Sequence, residues 1–295
     1  NRTLTRVRGK NHPATLAVAN DLATCYSQSG QLAKARALFE QTVSTQREQL
    51  GENAIAVFDT LHSLATVYED LGMRDEALKL REEIYQRRRK TLGPKHGDTL
   101  KSMNDLAYSY MDQGRLAEAV KISEQALAGK QELLGPTHPE TLGTAHTLAV
   151  IYSAAGRGEE ALKLREEAYR LMMEKLGPEH YMTLGAMQNL ANSYSSLGRP
   201  GDALKLYEEA LQTNQRTLGA KHPGTLEVMD ALANLYAETG RLDAAIRLGN
   251  EALAGQRELF GSIHPTTINT NRNVGLAYAA AGKLEQSEPL FAESY

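Results

Sequence analysis

The sequence has few of the features that disulfide-linked or membrane-bound proteins need. It contains one cysteine, Cys25, in 295 residues, so an internal disulfide is impossible. No apolar run approaches the roughly 20 residues that a membrane-spanning helix requires. Both absences favour a soluble protein in a reducing compartment, and we expect a cytoplasmic location.

An excess of positive charge is also missing. The formal net charge is -3, whereas nucleic-acid-binding domains normally carry a basic excess, and anionic lipid surfaces attract the same kind of charge. We therefore expect no nucleic-acid partner and no membrane partner. A glycine-rich phosphate-binding loop with its lysine is absent too, and we predict no cofactor.

The sequence does contain a strict repeat of 42 residues. A glycine, here termed the turn glycine, recurs at this step without insertion or deletion, at Gly30, Gly72, Gly114, Gly156, Gly198, Gly240 and Gly282. A tyrosine stands four residues before each of them, and a Leu-Gly pair keeps the same step from Leu50-Gly51 to Leu218-Gly219. Such a period indicates units that bury their apolar faces against neighbours, so function is expected on a repeated surface.

Each period predicts two helices. Apolar residues recur three and four positions apart between Pro139 and Ala154, which predicts helix A, and again from Glu160 to Leu176, which predicts helix B. The turn glycine and the Leu-Gly glycine can adopt the left-handed backbone that ends a helix. His-Pro stands where helix A begins, and proline is tolerated in a first turn. Ala161, five residues after a turn glycine, lets the two helices approach closely.

The repeated motif resembles the tetratricopeptide repeat. It consists of Leu-Ala, a tyrosine three residues after that alanine, the turn glycine four further and an alanine five further, as in Leu148-Ala149, Tyr152, Gly156 and Ala161. The 42-residue unit, with Leu-Gly-Pro-x-His-Pro-x-Thr-Leu at residues 134–142, is similar to the variant found in kinesin light chains. The resemblance covers essentially the whole chain. It implies an all-α fold, a right-handed superhelical solenoid of antiparallel helix pairs.

The period also predicts the domain organisation. We expect a single tetratricopeptide-repeat domain over residues 1–295, in which residues 1–8 are the tail of a preceding repeat. The repeats are predicted at about 9–50, 51–92, 93–134, 135–176, 177–218, 219–260 and 261–295, the last being truncated. Solenoids normally end in polar capping elements, and neither terminus resembles one. The sequence is therefore expected to be an excerpt of a longer protein.

The resemblance further implies where a ligand binds. In this family the A helices line a concave groove, and side chains six, ten and thirteen residues before the turn glycine reach the ligand. The ten-before set here is Asn20, His62, Asn104, His146, Gln188, Asp230 and Arg272. From these positions and their neighbours we predict a peptide-binding groove formed by Asn20, His62, Lys101, Asn104, Tyr108, His146, Gln188, Asn189, Asn192, Asn234, Asn269, Arg272 and Asn273.

Asparagine is prominent in this set. Its amide offers a donor and an acceptor together, so a row of amides can pair with the backbone of an extended peptide without demanding a particular sequence. Asn189, Asn192, Asn234, Asn269 and Asn273 form such a row, with Arg272 beside it. The alternative is that these side chains are merely solvated on an exposed helical face.

Two further features bear on ligand choice. A clamp for an acidic C-terminal tail needs several converging cations, and only Lys101 and Arg272 qualify, so we expect no such preference. Gly143 and Gly185 lie early in consecutive A helices and leave space that could seat a bulky ligand side chain. They could equally relieve crowding between helices.

Metal binding and catalysis are not predicted. The histidines at His12, His96, His138, His180, His222 and His264 share one repeat position, but packed helices lie about 8–10 Å apart, too far for a shared zinc ion. A hydrogen-bonding role at the start of helix A is expected instead. Cys25 has no designated base and is interpreted as a small core residue. Carboxylate pairs such as Glu82-Glu83 are interpreted as a solvated outer face.

One basic run stands out from the rest of the sequence. Arg87-Arg88-Arg89-Lys90 lies at the predicted end of a B helix, where cations interact favourably with the helix dipole. A targeting or anion-binding use is the alternative.

The leading functional hypothesis is a non-catalytic protein-protein interaction scaffold that binds an extended peptide segment in its concave groove. The alternative is a regulatory or sensor arm that controls an effector domain, such as a kinase, a protease or a nucleotide-dependent switch, in the same polypeptide. The partner is accordingly a protein or peptide, or another domain of the same chain.

Overall fold

The computed structural model describes residues 12–293, and this part of the chain consists of helices and short turns, with no β-strand in it. The A helices are α1 (Pro13–Gln28), α3 (Ile55–Asp70), α5 (Gly97–Asp112), α7 (Pro139–Ala154), α9 (Tyr181–Ser196), α11 (Pro223–Glu238) and α13 (Pro265–Ala280). The B helices are α2 (Leu32–Leu50), α4 (Arg74–Leu92), α6 (Leu116–Leu134), α8 (Gly158–Leu176), α10 (Pro200–Thr217), α12 (Leu242–Phe260) and α14 (Leu284–Glu293). The predicted all-α class and the alternation of A and B helices are confirmed.

Histidine starts six of the seven described A helices. The Nδ1 atom of each histidine accepts a hydrogen bond of 3.1–3.3 Å from the backbone N–H two residues later, at His12, His96, His138, His180, His222 and His264. This bond satisfies one of the N–H groups that the first helical turn leaves unpaired. The predicted structural role of these histidines is therefore confirmed. The exception is α3, where Ala54 stands at the cap and offers no side-chain acceptor.

Glycine ends the helices as predicted. The turn glycines have φ between +72° and +77°, and the glycines of the Leu-Gly pairs have φ between +82° and +93°. These values lie in the left-handed region, which residues with a Cβ atom rarely adopt. The backbone conformation at these glycines therefore repeats with the same 42-residue period as the sequence.

The helices belong to two compact units, one up to Gly156 and one from Arg157 onward. In each unit a helix packs mainly against its neighbours along the chain, as expected of repeats that share a core. The alanine five residues after the turn glycine is buried, with at most 2% exposure at Ala35, Ala77, Ala119, Ala161, Ala203 and Ala245. Leucines and alanines of the repeated motif pack around it in each unit.

The repeated tyrosine links one repeat to the previous one. Its hydroxyl donates a hydrogen bond of 2.6–2.9 Å to a glutamate 28 residues earlier, in the pairs Tyr68 and Glu40, Tyr110 and Glu82, Tyr152 and Glu124, Tyr194 and Glu166, and Tyr236 and Glu208. In the last repeat Asn250 donates to the hydroxyl oxygen of Tyr278 instead. The interpretation of the glutamate pairs as a solvated face is therefore wrong for their first member.

From residue 12 onward, the described chain alternates one A helix with one B helix. The predicted tail at residues 1–8 lies outside the described residues. That the chain forms a single domain, and that it is part of a longer protein, both stay predictions.

Candidate functional site

The A helices expose one polar strip in each repeat. Residues six, nine, ten and thirteen positions before the turn glycine lie on the side of the helix opposite the buried Leu-Ala pair, because a helix advances 3.6 residues per turn. We call this strip the A-helix face. All thirteen predicted peptide-binding residues lie on it.

In the unit up to Gly156, the A-helix face contains both exposed and half-buried residues. Lys101, Tyr108 and His146 are exposed, and Tyr108 retains 39% of its accessible surface. Asn20 and Asn104 are half-buried, and the side-chain oxygen of each is enclosed without a hydrogen-bond partner. These two amides therefore present less of their polar surface to solvent than the sequence suggested.

His62 pairs with a residue of the following repeat. Its Nδ1 atom lies 3.3 Å from a carboxylate oxygen of Asp105, so α3 and α5 are joined across their exposed faces. The sequence indicated His62 but not Asp105, which stands nine residues before its turn glycine. The pairing means that a ligand at this point meets a histidine-carboxylate pair.

In the unit from Arg157 onward, the face is rich in amides. Asn192, Asn269 and Arg272 are exposed, while Gln188, Asn189, Asn234 and Asn273 are half-buried. Within residues 12–293, Asn234, Asn269 and Arg272 form no hydrogen bond or ion pair with other protein groups. The asparagines that the sequence placed in one row lie on α9, α11 and α13. The side-chain amides of Asn234 and Asn269 have donors and acceptors that no other protein group in the described part of the chain uses.

One member of the row is already engaged. The side-chain carbonyl oxygen of Asn192 accepts a hydrogen bond from the hydroxyl of Tyr207, which reaches it from α10. Tyr207 is buried, and this burial raises the pKa of its hydroxyl to about 12. Tyr207 thus holds the amide of Asn192 in one orientation, a role that its position in a B helix did not reveal from sequence.

A similar contact exists in the other unit. Arg81 occupies the same repeat position as Tyr207 and binds Glu69 through two hydrogen bonds of 2.6 and 3.0 Å, and Ser109 donates a third to the same carboxylate. The residue nine positions after the turn glycine, here termed the support position, therefore bonds to an A helix in both repeats.

Asp230 is a ten-before residue that the predicted site omitted. Burial raises the pKa of its carboxyl group. One of its carboxylate oxygens is enclosed without a hydrogen-bond partner. Asp230 lines one small concavity together with Asn234 of its own helix and Asn273 of the next A helix, α13.

The two glycines of the A-helix face leave open space. A Cβ atom built on Gly143 or on Gly185 would meet no other heavy atom within 4 Å. Relief of crowding between helices is therefore not what these glycines provide.

Other candidate groups are explained by local structure. Cys25 is exposed, so its interpretation as a core residue is wrong.

The basic run at residues 87–90 is partly occupied. Arg88 is buried and donates to Ser102 at 2.9 Å, while Arg87 pairs with Glu52 and Glu83 at 3.0 and 2.9 Å. Half of the basic run is thus occupied by internal contacts. No group of three or more potential metal ligands occurs in the described part of the chain.

A helix that could cross a membrane is also absent from the described residues. Within residues 12–293, every helix falls short of the combined length and apolarity that crossing a bilayer demands.

Comparison with solved structures gives several similar chains. A kinesin light chain candidate from Podosopora anserina with nearly identical TPR-like repeats is 32% identical, has a TM-score of 0.64, and is matched over 70% of this chain and 98% of its own length. BtubC from P. vanneervenii is 24% identical, with a TM-score of 0.62 over 77% of this chain and 88% of that one. A signal transduction ATPase with numerous domains and a tetratricopeptide repeat sensor, from Pyrococcus horikoshii, is 14% identical, with a TM-score of 0.66 over 94% of this chain and 40% of that one.

None of the curated proteins matches the sequence. The family model for the tetratricopeptide repeat matches residues 2–48, 56–110, 98–174, 141–213 and 183–258, which together span most of the chain. The period, the helix pairs and this match agree, and the chain belongs to the tetratricopeptide repeat family.

Proposed function

We propose that this protein is a non-catalytic scaffold that binds an extended segment of a partner protein along its A-helix face. Tetratricopeptide repeats generally mediate protein-protein interaction, and that coarse role extends to this chain through its family. Beyond that general role, we propose which surface binds, namely the A-helix face, and what form the ligand takes, namely an extended segment.

The amide row on α9, α11 and α13 carries the proposal. Asn234 and Asn269 keep their donors and acceptors free of other protein groups within residues 12–293. An extended peptide exposes one N–H and one C=O per residue, and amide side chains can pair with both. Open space beside Gly185, in the same unit as the amide row, would admit a side chain of such a segment.

A second function is supported by one comparison. The Pyrococcus horikoshii ATPase carries its tetratricopeptide repeats as a sensor and is covered over only 40% of its length. By analogy, the A-helix face here would contact an effector domain of the same polypeptide. The sequence of the complete gene product separates the two proposals, because a catalytic or nucleotide-binding motif beside the repeats favours the sensor arm.

The expected surroundings follow from charge and composition. A net charge of -3 gives no general attraction to nucleic acid or to anionic lipid. A protein or peptide partner in the cytoplasm fits these properties.

Affinity capture tests the proposed face. The protein would be compared with a variant carrying Asn234→Ala, Asn269→Ala and Arg272→Ala, three side chains that form no hydrogen bond or ion pair within residues 12–293. Asn192 is kept, since its removal would leave the buried hydroxyl of Tyr207 without an acceptor. We expect the variant to lose partners that the parent protein retains.

A matched control carries Gln212→Ala and Gln215→Ala. Both amides are exposed on the B helix α10, so the control removes similar groups from a different surface. Equal recovery of partners by the A-helix variant and the parent would contradict the proposal. Loss with the α10 control alone would move the binding surface to the B helices.

A further inference from the structure

The support position differs from repeat to repeat. It is occupied by Phe39, Arg81, Ser123, Arg165, Tyr207, Gly249 and Phe291. Tyr207 donates a hydrogen bond from this position to Asn192. In the next repeat Gly249 has no side chain to offer Asn234, the equivalent of Asn192.

A small pocket opens at this point between α11, α12 and α13. Its walls are apolar and include Ala233, Ala237 and Ala277, with Val274 beside Gly249. A Cβ atom on Gly249 would lie 2.7 Å from the Cγ2 atom of Val274, so even a methyl group would require a shift. The missing side chain is therefore a condition for the present packing.

The pocket also has polar lining residues, one of them a carboxylate. Asp230, Asn234 and Asn273 line it, and each can present a side-chain oxygen. One carboxylate oxygen of Asp230 is buried without a hydrogen-bond partner. No basic side chain in the described part of the chain forms an ion pair with Asp230, and burial raises the pKa of its carboxyl group.

We propose that this pocket binds the ammonium group of a lysine side chain in the partner segment. The inference rests on the proposed binding function and adds to it the chemistry of one contact. An ammonium group has three N–H donors, which match in number the three oxygen-bearing side chains that line the pocket. A carboxylate removed from water without a counter-charge is costly, and a bound cation offsets that cost.

Size and shape favour lysine over other cations. The pocket has room for about one water-sized group, which suits a compact ammonium and not the wide planar fork of a guanidinium. Arginine and acetylated lysine should therefore bind poorly.

The test uses n-butylammonium as a probe, near neutral pH, with the whole chain labelled with ¹⁵N. The side-chain amide signals of Asn234 and Asn273 are followed by NMR during the titration. We expect saturable shifts of these signals with n-butylammonium, and much weaker effects with n-butanol and with methylguanidinium. Equal shifts with n-butanol would overturn the assignment, because the alcohol lacks the charge.

Two variants separate the pocket from general charge. Asp230→Asn keeps the shape of the side chain, and asparagine already occupies the same repeat position at Asn20 and Asn104. It should weaken n-butylammonium binding about tenfold or more, as loss of one partner of a desolvated charge pair does. Glu227→Gln, an exposed change on the same helix, should leave the affinity unchanged. Equal weakening by both variants would overturn the proposal.

The outcome is independent of partner capture, because the probe needs no partner. Saturable binding of n-butylammonium with no loss of capture in the A-helix variant would retain the pocket and refute the proposed binding surface. Capture that depends on Asn234, Asn269 and Arg272, without any response to n-butylammonium, would retain the surface and refute lysine recognition.

Discussion

At the scale of single residues, the tyrosine of each repeat is the most heavily constrained side chain. Burial, followed by the hydrogen bond to a glutamate, raises the pKa of Tyr68, Tyr110 and Tyr194 to about 12. A deprotonated hydroxyl could not donate to the carboxylate and would repel it. Each of these hydroxyls is thus held in its neutral form by the previous repeat.

This constraint predicts a loss of stability in alkali. A group whose pKa is higher in the folded state stabilises the fold fully below the unfolded pKa of about 10. That contribution disappears as the pH rises through about 12. Absorbance near 295 nm should show tyrosines that titrate about two pH units above free tyrosine, with unfolding in the same window.

The variant Tyr110→Phe provides the control for this prediction. It removes one hydroxyl and leaves Glu82 without that donor. Its alkaline titration should have one fewer late-titrating group. An unchanged titration curve would contradict the assignment of that group to Tyr110.

Two glycines of one repeat should respond to alanine in opposite ways. Gly185 lies inside α9 with no atom near its absent Cβ, so Gly185→Ala should stabilise the protein by about 0.5–1 kcal/mol. Gly198 has φ of +72°, and Gly198→Ala should destabilise it by about 1–2 kcal/mol. Urea denaturation measures both changes, and effects of the same sign would contradict the conformational argument.

At the scale of the helix, a histidine caps the start of six of the seven described A helices. His222→Ala removes the acceptor for the N–H of Gly224 at the start of α11. We expect a loss of about 1 kcal/mol in the free energy of unfolding. Thermal or urea denaturation gives the measurement.

The variant His222→Asn provides a matched comparison, since asparagine is among the preferred N-cap residues. It should recover most of the stability that alanine loses. If asparagine and alanine destabilise the protein equally, the histidine ring acts through packing and not through its hydrogen bond.

At the scale of the whole molecule, stability should be distributed locally. Each repeat packs mainly on its neighbours, so a cavity in one repeat weakens that part of the chain more than distant parts. Leu106→Ala creates such a cavity at a side chain that is 1% exposed, at a cost of about 2–5 kcal/mol. Hydrogen exchange should accelerate most in α5 and in the helices that pack on it.

Leu232→Ala is the counterpart in the other unit, at the same repeat position and also 1% exposed. It should accelerate exchange around α11 and leave the helices around α5 less affected. A uniform acceleration throughout the chain by either substitution would mean that the molecule opens as one cooperative block.

Some of the site was predictable because the repeat register places residues on faces. The period assigned Asn234, Asn269 and Arg272 to the A-helix face, where the structure has them exposed or half-buried. The same register did not reveal the contact between Tyr207 and Asn192, since it depends on a side chain crossing from a B helix to an A helix.

The sequence by itself determined the class of fold, the helix pairs and their ends. These features depend on spacing along the chain, such as the left-handed glycines and the histidine caps, whose partners lie two residues away. The tertiary structure alone decided which polar groups face one another. His62 meets Asp105, and a pocket lies beside Asp230 between three helices, because packing brings together side chains from different helices that no local pattern relates.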